Sequence, residues 1–259
     1  MKLVILAGGK GTRFVEETSS KPKPMIEVGG KPIIWLIMKY YSKFKINEFI
    51  ICGGYKKEVL KNYFLKNKYM YSEFSIDFFS NTQKIKGKTK KNWKIHLVDT
   101  GDKTNTAGRL KKVKKYLKNE EFFFFTYGDG LSNVNIKKQI QFHKTNKKLA
   151  TVTAVKPPAR FGSIILDKKK NFLVKDFKEK NDNSDLLING GFFILSPKCI
   201  DYIKSYDSSW EFDVLPKIAK KRQLSAFVHK GFWQAMDSRR DKDQLEEIVK
   251  NRKIPWINW

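Results

Sequence analysis

The chain opens with a short apolar run, residues 3–7, that is cut off at once by Gly8-Gly9-Lys10-Gly11. Leucine, valine and isoleucine in succession favour a strand, and glycines directly behind them let the backbone turn sharply and approach a ligand closely. The same kind of alternation repeats downstream. Residues 32–43 read as a helix with proline in its first turn, 49–52 as a strand ended by Gly53-Gly54, and 55–64 as the next helix. Residues 74–79 and 95–98 read as strands on either side of a lysine-rich loop, and 107–117 as a basic helix. Four phenylalanines, Phe122, Phe123, Phe124 and Phe125, make the most apolar run and predict a central strand covered on both faces. Short strands alternating with amphipathic stretches predict an α/β sheet.

Beyond the helix at 134–144 and the strand at 150–155 comes Pro157-Pro158, where the alternation weakens. Residues 161–166, 172–177 and 187–195 read as strands of more antiparallel character, before helices at 197–205, 210–220 and 238–251. No internal repeat and no linker stand out. One domain over residues 1–259 is expected, with a first half to about 130 and an elaborated second half from about 131.

With 259 residues and 41% hydrophobic content the chain can bury a sizeable core, which excludes a disordered chain. Cys52 and Cys199 are too far apart for a CxxC motif and too few to staple a secreted fold, so a reducing cytoplasm is expected. The first apolar run is too short for a signal-peptide core, and no segment approaches the roughly 18 apolar residues that span a bilayer. A soluble protein without membrane contact is expected.

The charge is unusual, with 53 Lys+Arg against 26 Asp+Glu for a formal +27. Such an excess invites a nucleic-acid or anionic-membrane reading. Yet 46 of the 53 are lysine, spread through almost every segment, whereas groove readers concentrate arginine and aromatics on one element. The densest stretches, residues 84–94, 111–118 and 168–170, also read as solvated loops or helix faces. Lys, Asn, Ile and Phe are abundant together, as a compositional bias of the genome would produce. No specific nucleic-acid partner is expected, and the positive field favours polyanionic substrates such as nucleotides and sugar phosphates.

Successive N–H groups in the glycine turn can point at phosphate oxygens, and Arg13 adds a bidentate cation. Two better-known loops do not fit. With Gly9 and Gly11 as its first glycines the dinucleotide fingerprint needs a third where Phe14 stands, and the GxxxxGK[ST] spacing is absent. An ordinary strand-to-loop turn stays open on this segment alone. In Ser20-Lys21-Pro22-Lys23-Pro24-Met25 the prolines stiffen a loop whose lysines either hold phosphates or are solvated. Asp129, in Tyr127-Gly128-Asp129-Gly130, follows the phenylalanine strand at the carboxyl end, where open α/β sheets bind ligands; a turn residue is the alternative. Asp237 reads on its own as a helix N-cap. His96, His143 and His229 form no metal-ligand spacing, and no Ser-His or Cys-His nucleophile pair is present.

The start GGKGTR…KPKPM marks the wider family of sugar-phosphate nucleotidyltransferases. VDTGDKTNTAGRLKKV at 98–113, TYGDG at 126–130, INGGFF at 188–193 and GFWQAMD at 231–237 make the chain resemble its glucose-1-phosphate cytidylyltransferase branch, from Leu3 to Pro255-Trp256. The resemblance implies a Rossmann-like three-layer α/β/α fold with a mostly parallel mixed sheet. It implies reaction of CTP with α-D-glucose 1-phosphate to give CDP-glucose and pyrophosphate, with Mg²⁺ as cofactor, in a homo-oligomer. By the same carry-over Leu6, Ala7, Gly8, Gly9, Lys10, Gly11, Thr12, Arg13, Lys23, Thr104, Arg109 and Gly128 meet the nucleotide, with Arg13, Lys23 and Asp129 catalytic. Asp129 and Asp237 take the metal, and Gly162, Glu179, Lys180, Asn189 and Gly190 the sugar phosphate. A cation such as Arg109 at a helix start is disfavoured by the dipole, which points to an anion nearby.

Ala107, Asn181 and Ala235 depart from the family's usual glycine and prolines, affecting loop geometry more than charge. Two rivals stay open: the same reaction with another nucleotide or sugar 1-phosphate, and a non-catalytic basic protein that binds nucleic acid. The aromatic end, residues 256–259, either caps the core or faces a neighbouring subunit.

Overall fold

The computed structural model describes residues 1–69, 73–77, 79–80, 82–86, 92–157, 163–167, 173–178, 186–252 and 254–256. Its centre is an eight-stranded sheet of β1 (Lys2–Ala7), β2 (Glu48–Gly53), β3 (Lys94–Asp99), β4 (Phe123–Tyr127), β5 (Ala150–Val155), β6 (Ile188–Asn189), β7 (Phe193–Leu195) and β8 (Leu224–His229). β1 lies between β4 and β2, and β3 follows β2, all four parallel. β7 joins β4 to β5 antiparallel, β6 continues along β5, and β8 runs parallel to β5 on its other edge.

Strand periodicity sorts the core onto two faces. Leu3, Ile5, Phe122 and Phe124 meet Ile37 and Tyr41 of α2 (Ile33–Ser42, after the short α1, Val15–Thr18) and Leu60 of α3 (Lys57–Tyr69). Val4, Leu6, Phe123 and Phe125 meet Ala107 and Leu110 of α4 (Thr106–Lys112) on the opposite face. α5 (Ile136–Asn146) and α7 (Arg239–Lys250) add to the first face, and α6 (Leu215–Lys220) to the second, giving three layers. The phenylalanine run is therefore apolar at every position because β4 is covered on both sides.

Several elements differ from the sequence reading. The basic helix is α only over Thr106–Lys112 and tightens to a 3-10 turn at Lys114–Tyr116. Residues 197–205 hold a 3-10 turn, Pro197–Tyr202, rather than an α-helix, and 210–220 start as a π turn at Trp210–Val214. The strand at 187–195 is broken where Gly191 and Phe192 take positive φ of 73° and 46°. β8, Thr82–Lys86 and the pair Gly130–Ser132 with Trp233–Ala235 carry too little apolar alternation to be read in advance. Trp256 is buried against Phe232, which settles that end of the chain as a core cap at this residue.

His143 lies on α5 with Nδ1 2.8 Å from the Thr151 hydroxyl, and burial holds its pKa below the ordinary value. The unfolded chain takes up this proton near pH 6.5 and the folded chain only below it, so its contribution is complete above that pH and is lost on acidification. The melting temperature should fall from about pH 7.5 to 5.5, and the non-titrating His143→Gln should flatten that decline. An unchanged slope in the variant contradicts the assignment.

Candidate active site

β1 delivers the glycine turn to the carboxyl edge of the sheet. The Gly8 carbonyl accepts from the Tyr55 N–H at 3.2 Å and from Arg109 Nη2 at 2.9 Å. In a trans peptide the following N–H points the other way, so the Gly9 amide faces away from Arg109, beside the exposed Lys10. Gly11 is left-handed, with φ 64°, and a Cβ there would stand 2.7 Å from the Thr18 methyl. That conformation and that crowding together call for glycine.

Arg109, expected beside an anion, has backbone carbonyls and one hydroxyl as its near protein neighbours. Its guanidinium is buried and donates to the Thr100 hydroxyl at 2.7 Å and the Gly101 carbonyl at 2.9 Å as well as to Gly8. A Cβ on Gly8 or Gly54 would lie 2.1 or 2.4 Å from Nη1, so the side chain fills a slot that two glycines leave open. It thereby ties the ends of β1, β2 and β3 together under the turn. Thr104 is half-buried on the same approach to α4.

Three distant segments meet at Lys23. Its ammonium lies 2.7 Å from Asp129 Oδ2 and 2.6 Å from Asp237 Oδ1, and its side chain is only 11% exposed. Burial works to lower the Lys23 pKa, but the two carboxylates outweigh burial and raise it. Pro22 is extended and Lys23–Met25 forms a 3-10 turn, so the prolines hold the lysine rigidly. Gly128 lets the strand end approach this loop, since a Cβ there would be 2.7 Å from Pro24 Cγ. Asp237 is not the cap of α7: Ser238 caps it, in a capping box with Asp241, which leaves the Asp237 carboxylate to face Lys23. Arg13 is 78% exposed and reaches Asp237 at 3.3 Å. Behind it Glu17 on α1 accepts from Lys242 of α7, and that hydrogen bond, opposed by burial, holds the Glu17 carboxyl below its usual range.

Asp129 and Asp237 both touch one ammonium, so their oxygens cannot be farther apart than the sum of those two contacts. Two carboxylates around a cation position suit Mg²⁺, which takes one or two carboxylates and completes its shell with phosphate and water. Among the described residues no cluster of three or more His, Cys, Asp or Glu offers a complete metal cage. Both thiols are buried and pushed up to about 12 by burial, which excludes them as nucleophiles at neutral pH.

On the far side of β4, the Asn189 amide donates to the Tyr127 hydroxyl at 3.2 Å, and Gly190 packs against Val155 and the Thr153 carbonyl. Gly162, Glu179 and Lys180 lie outside the described residues, as do three of the six lysines at 84–94 and all of 168–170. Tyr127, Thr106 and Glu211, which the sequence reading missed, join here in a hydrogen-bonded cluster. They are 84 and 105 residues from Glu211, and no local spacing could have signalled the contact.

A Rossmann-like sheet with a glycine turn, a buried lysine and two carboxylates at its carboxyl edge defines a nucleotide-handling enzyme. Residues 2–237 match the nucleotidyl transferase family model, and the chain belongs to that family. It is 48% identical to the glucose-1-phosphate cytidylyltransferase of Salmonella typhi over 100% of both chains. It is 40% identical to the probable glucose-1-phosphate cytidylyltransferase of Bacillus subtilis, again over 100% of both. HddC from Yersinia pseudotuberculosis is a structural relative, with TM-score 0.70 and 25% identity over 96% of this chain and 99% of that one.

The N-terminus of α4 is seated against the loop before the π turn: Ala107 N–H donates to the Ser208 carbonyl at 3.1 Å. A Cβ on Gly108 would stand 1.9 Å from the Tyr206 carbonyl oxygen, which is backbone and cannot swing away. Gly108→Ala should lower stability by about 2 kcal/mol or more, read as a reduced urea midpoint. A midpoint equal to wild type would show that the two segments are not so closely packed.

Proposed function

We propose that the protein transfers a cytidylyl group from CTP to α-D-glucose 1-phosphate, forming CDP-glucose and pyrophosphate. The observation that carries this reading is the Lys23 ammonium between Asp129 and Asp237 beside the glycine turn. Full-length likeness to curated enzymes of that activity supports it. An oxygen of the sugar phosphate attacks the α-phosphorus in line; that bond forms as the bond to the bridging oxygen breaks, and its electron pair leaves with pyrophosphate. No nucleophilic side chain is required.

Asp129 and Asp237 would hold Mg²⁺, which supplies charge neutralisation at the triphosphate when bound. The end of β1 at Leu6 and Ala7 leads into the turn from Gly8 to Thr12, whose amides face the phosphates, while Arg13 and Lys23 pair with the oxygens that gain charge on departure. Thr104, Arg109 and Gly128 line the nucleotide. Gly162, Glu179, Lys180, Asn189 and Gly190 receive the sugar phosphate.

One domain over 1–259, acting in the cytoplasm as a homo-oligomer, completes the reading; the product would feed deoxysugar and surface-polysaccharide synthesis. Among the described residues no helix is long and apolar enough to cross a membrane. A protein binding nucleic acid by charge alone has no use for an acidic pair around a buried lysine.

Pyrophosphate release with Mg²⁺ and glucose 1-phosphate, run in parallel with CTP, UTP, dTTP, GTP and ATP, tests the proposal. CTP should exceed every other nucleotide at least about tenfold in kcat/KM; a higher rate with another nucleotide overturns the base assignment. Asp129→Asn should cost roughly a hundredfold in kcat while the variant still melts cooperatively as a folded protein. Near-normal turnover in that variant removes Asp129 from the chemistry.

A further inference from the structure

Glu211 stands in the π turn Trp210–Val214 and is ringed by three hydroxyls. Tyr127 donates to its Oε1 at 2.6 Å, and Thr106 and Ser209 donate to its Oε2 at 2.8 and 2.9 Å. The direction of these bonds is fixed from outside. The Trp210 N–H donates to the Thr106 oxygen at 2.8 Å and the Phe212 N–H to the Ser209 oxygen at 3.2 Å. The Thr106 and Ser209 oxygens thus already accept, and the ionised carboxylate, which can only accept, takes the single proton of each of the three hydroxyls.

The same polarity runs on through Tyr127. Its one proton is given to Glu211, so towards Asn189 the phenol oxygen accepts, from Nδ2 at 3.2 Å. Asn189 Oδ1 in turn accepts from the Gly191 N–H at 2.9 Å. The Gly191 N–H at one end of the Asn189 amide and, through Tyr127, the acceptor-only carboxylate of Glu211 at the other therefore hold that amide the same way round.

We propose that Glu211 is a positioning residue for the sugar-phosphate acceptor: through Tyr127 it locks the Asn189 amide so that its second N–H is presented to the sugar or its phosphate. The inference rests on the placement of Asn189 on the acceptor side in the function proposed above. A glutamine at 211 keeps an oxygen for Thr106 and Ser209 but can offer an N–H to Tyr127, which reverses that branch alone. Tyr127→Phe cuts the same branch while leaving the other two hydroxyls in place.

The test is steady-state kinetics on Glu211→Gln, Tyr127→Phe and the double variant, with melting temperatures as a folding control. Each single variant should raise KM for glucose 1-phosphate about tenfold, the loss of one charge-assisted hydrogen bond, with kcat and KM for CTP within about twofold. The double variant should lie within about twofold of either single, because both act on one chain. An unchanged sugar-phosphate KM, effects that multiply, or equal rises in both substrate KM values would overturn the proposal. Wild type is measured first in the same assay. Should it prefer another sugar 1-phosphate or nucleotide, the same split is read with that pair, so failure of the substrate assignment and failure of the Glu211 role are separate results.

Discussion

The ammonium of Lys23 is the point on which the arrangement depends. Taking such a charge out of water costs several kcal/mol unless opposite charge receives it, and here two carboxylates do. That requirement joins a loop behind β1, the end of β4 and the residue ahead of the cap of α7, segments separated by 106 and 214 residues from Lys23. Arg13 adds a second, exposed cation to Asp237. The cluster is poised for exchange: an ammonium between two carboxylates can turn to phosphate oxygens if another cation takes its place.

Close backbone approach makes the cluster possible. Gly128 brings the strand end against Pro24, and Gly8 and Gly54 leave the slot in which Arg109 holds the sheet edge. The buried guanidinium spends its donors on carbonyls of three strand ends, which turns those carbonyls inward and the neighbouring amides of the turn outward. Charge and geometry are thus set by the same side chain. The large lysine excess stands apart from this; nothing in the fold explains it.

Much of this was legible because its causes are local. The apolar strands, the glycine turn and the stiff Pro22-Lys23-Pro24 loop announce themselves by residue type, and periodicity separates the two faces of β1 and β4. Asp237 was less readable: its sequence position suits a cap, and only the neighbouring Ser238–Asp241 box frees it. The surroundings of Arg109 were not legible, because a helix-dipole argument cannot see the oxygens arriving from the ends of β2 and β3. The partnership of Glu211 with Tyr127 carried no signal, since it exists only once α4, β4 and the π turn have packed. Short 3-10 and π turns were read as α-helix because their hydrophobic pattern over a few residues is the same.

Asp129 and Asp237, both in contact with the Lys23 ammonium, would form one cation-binding pair beside the glycine turn. Titration of Mn²⁺ in the presence of CTP, followed by electron paramagnetic resonance, measures that pair without requiring turnover. One tight site is expected in the wild type, weakened roughly a hundredfold in both Asp129→Asn and Asp237→Asn. Wild-type affinity in either variant would contradict it.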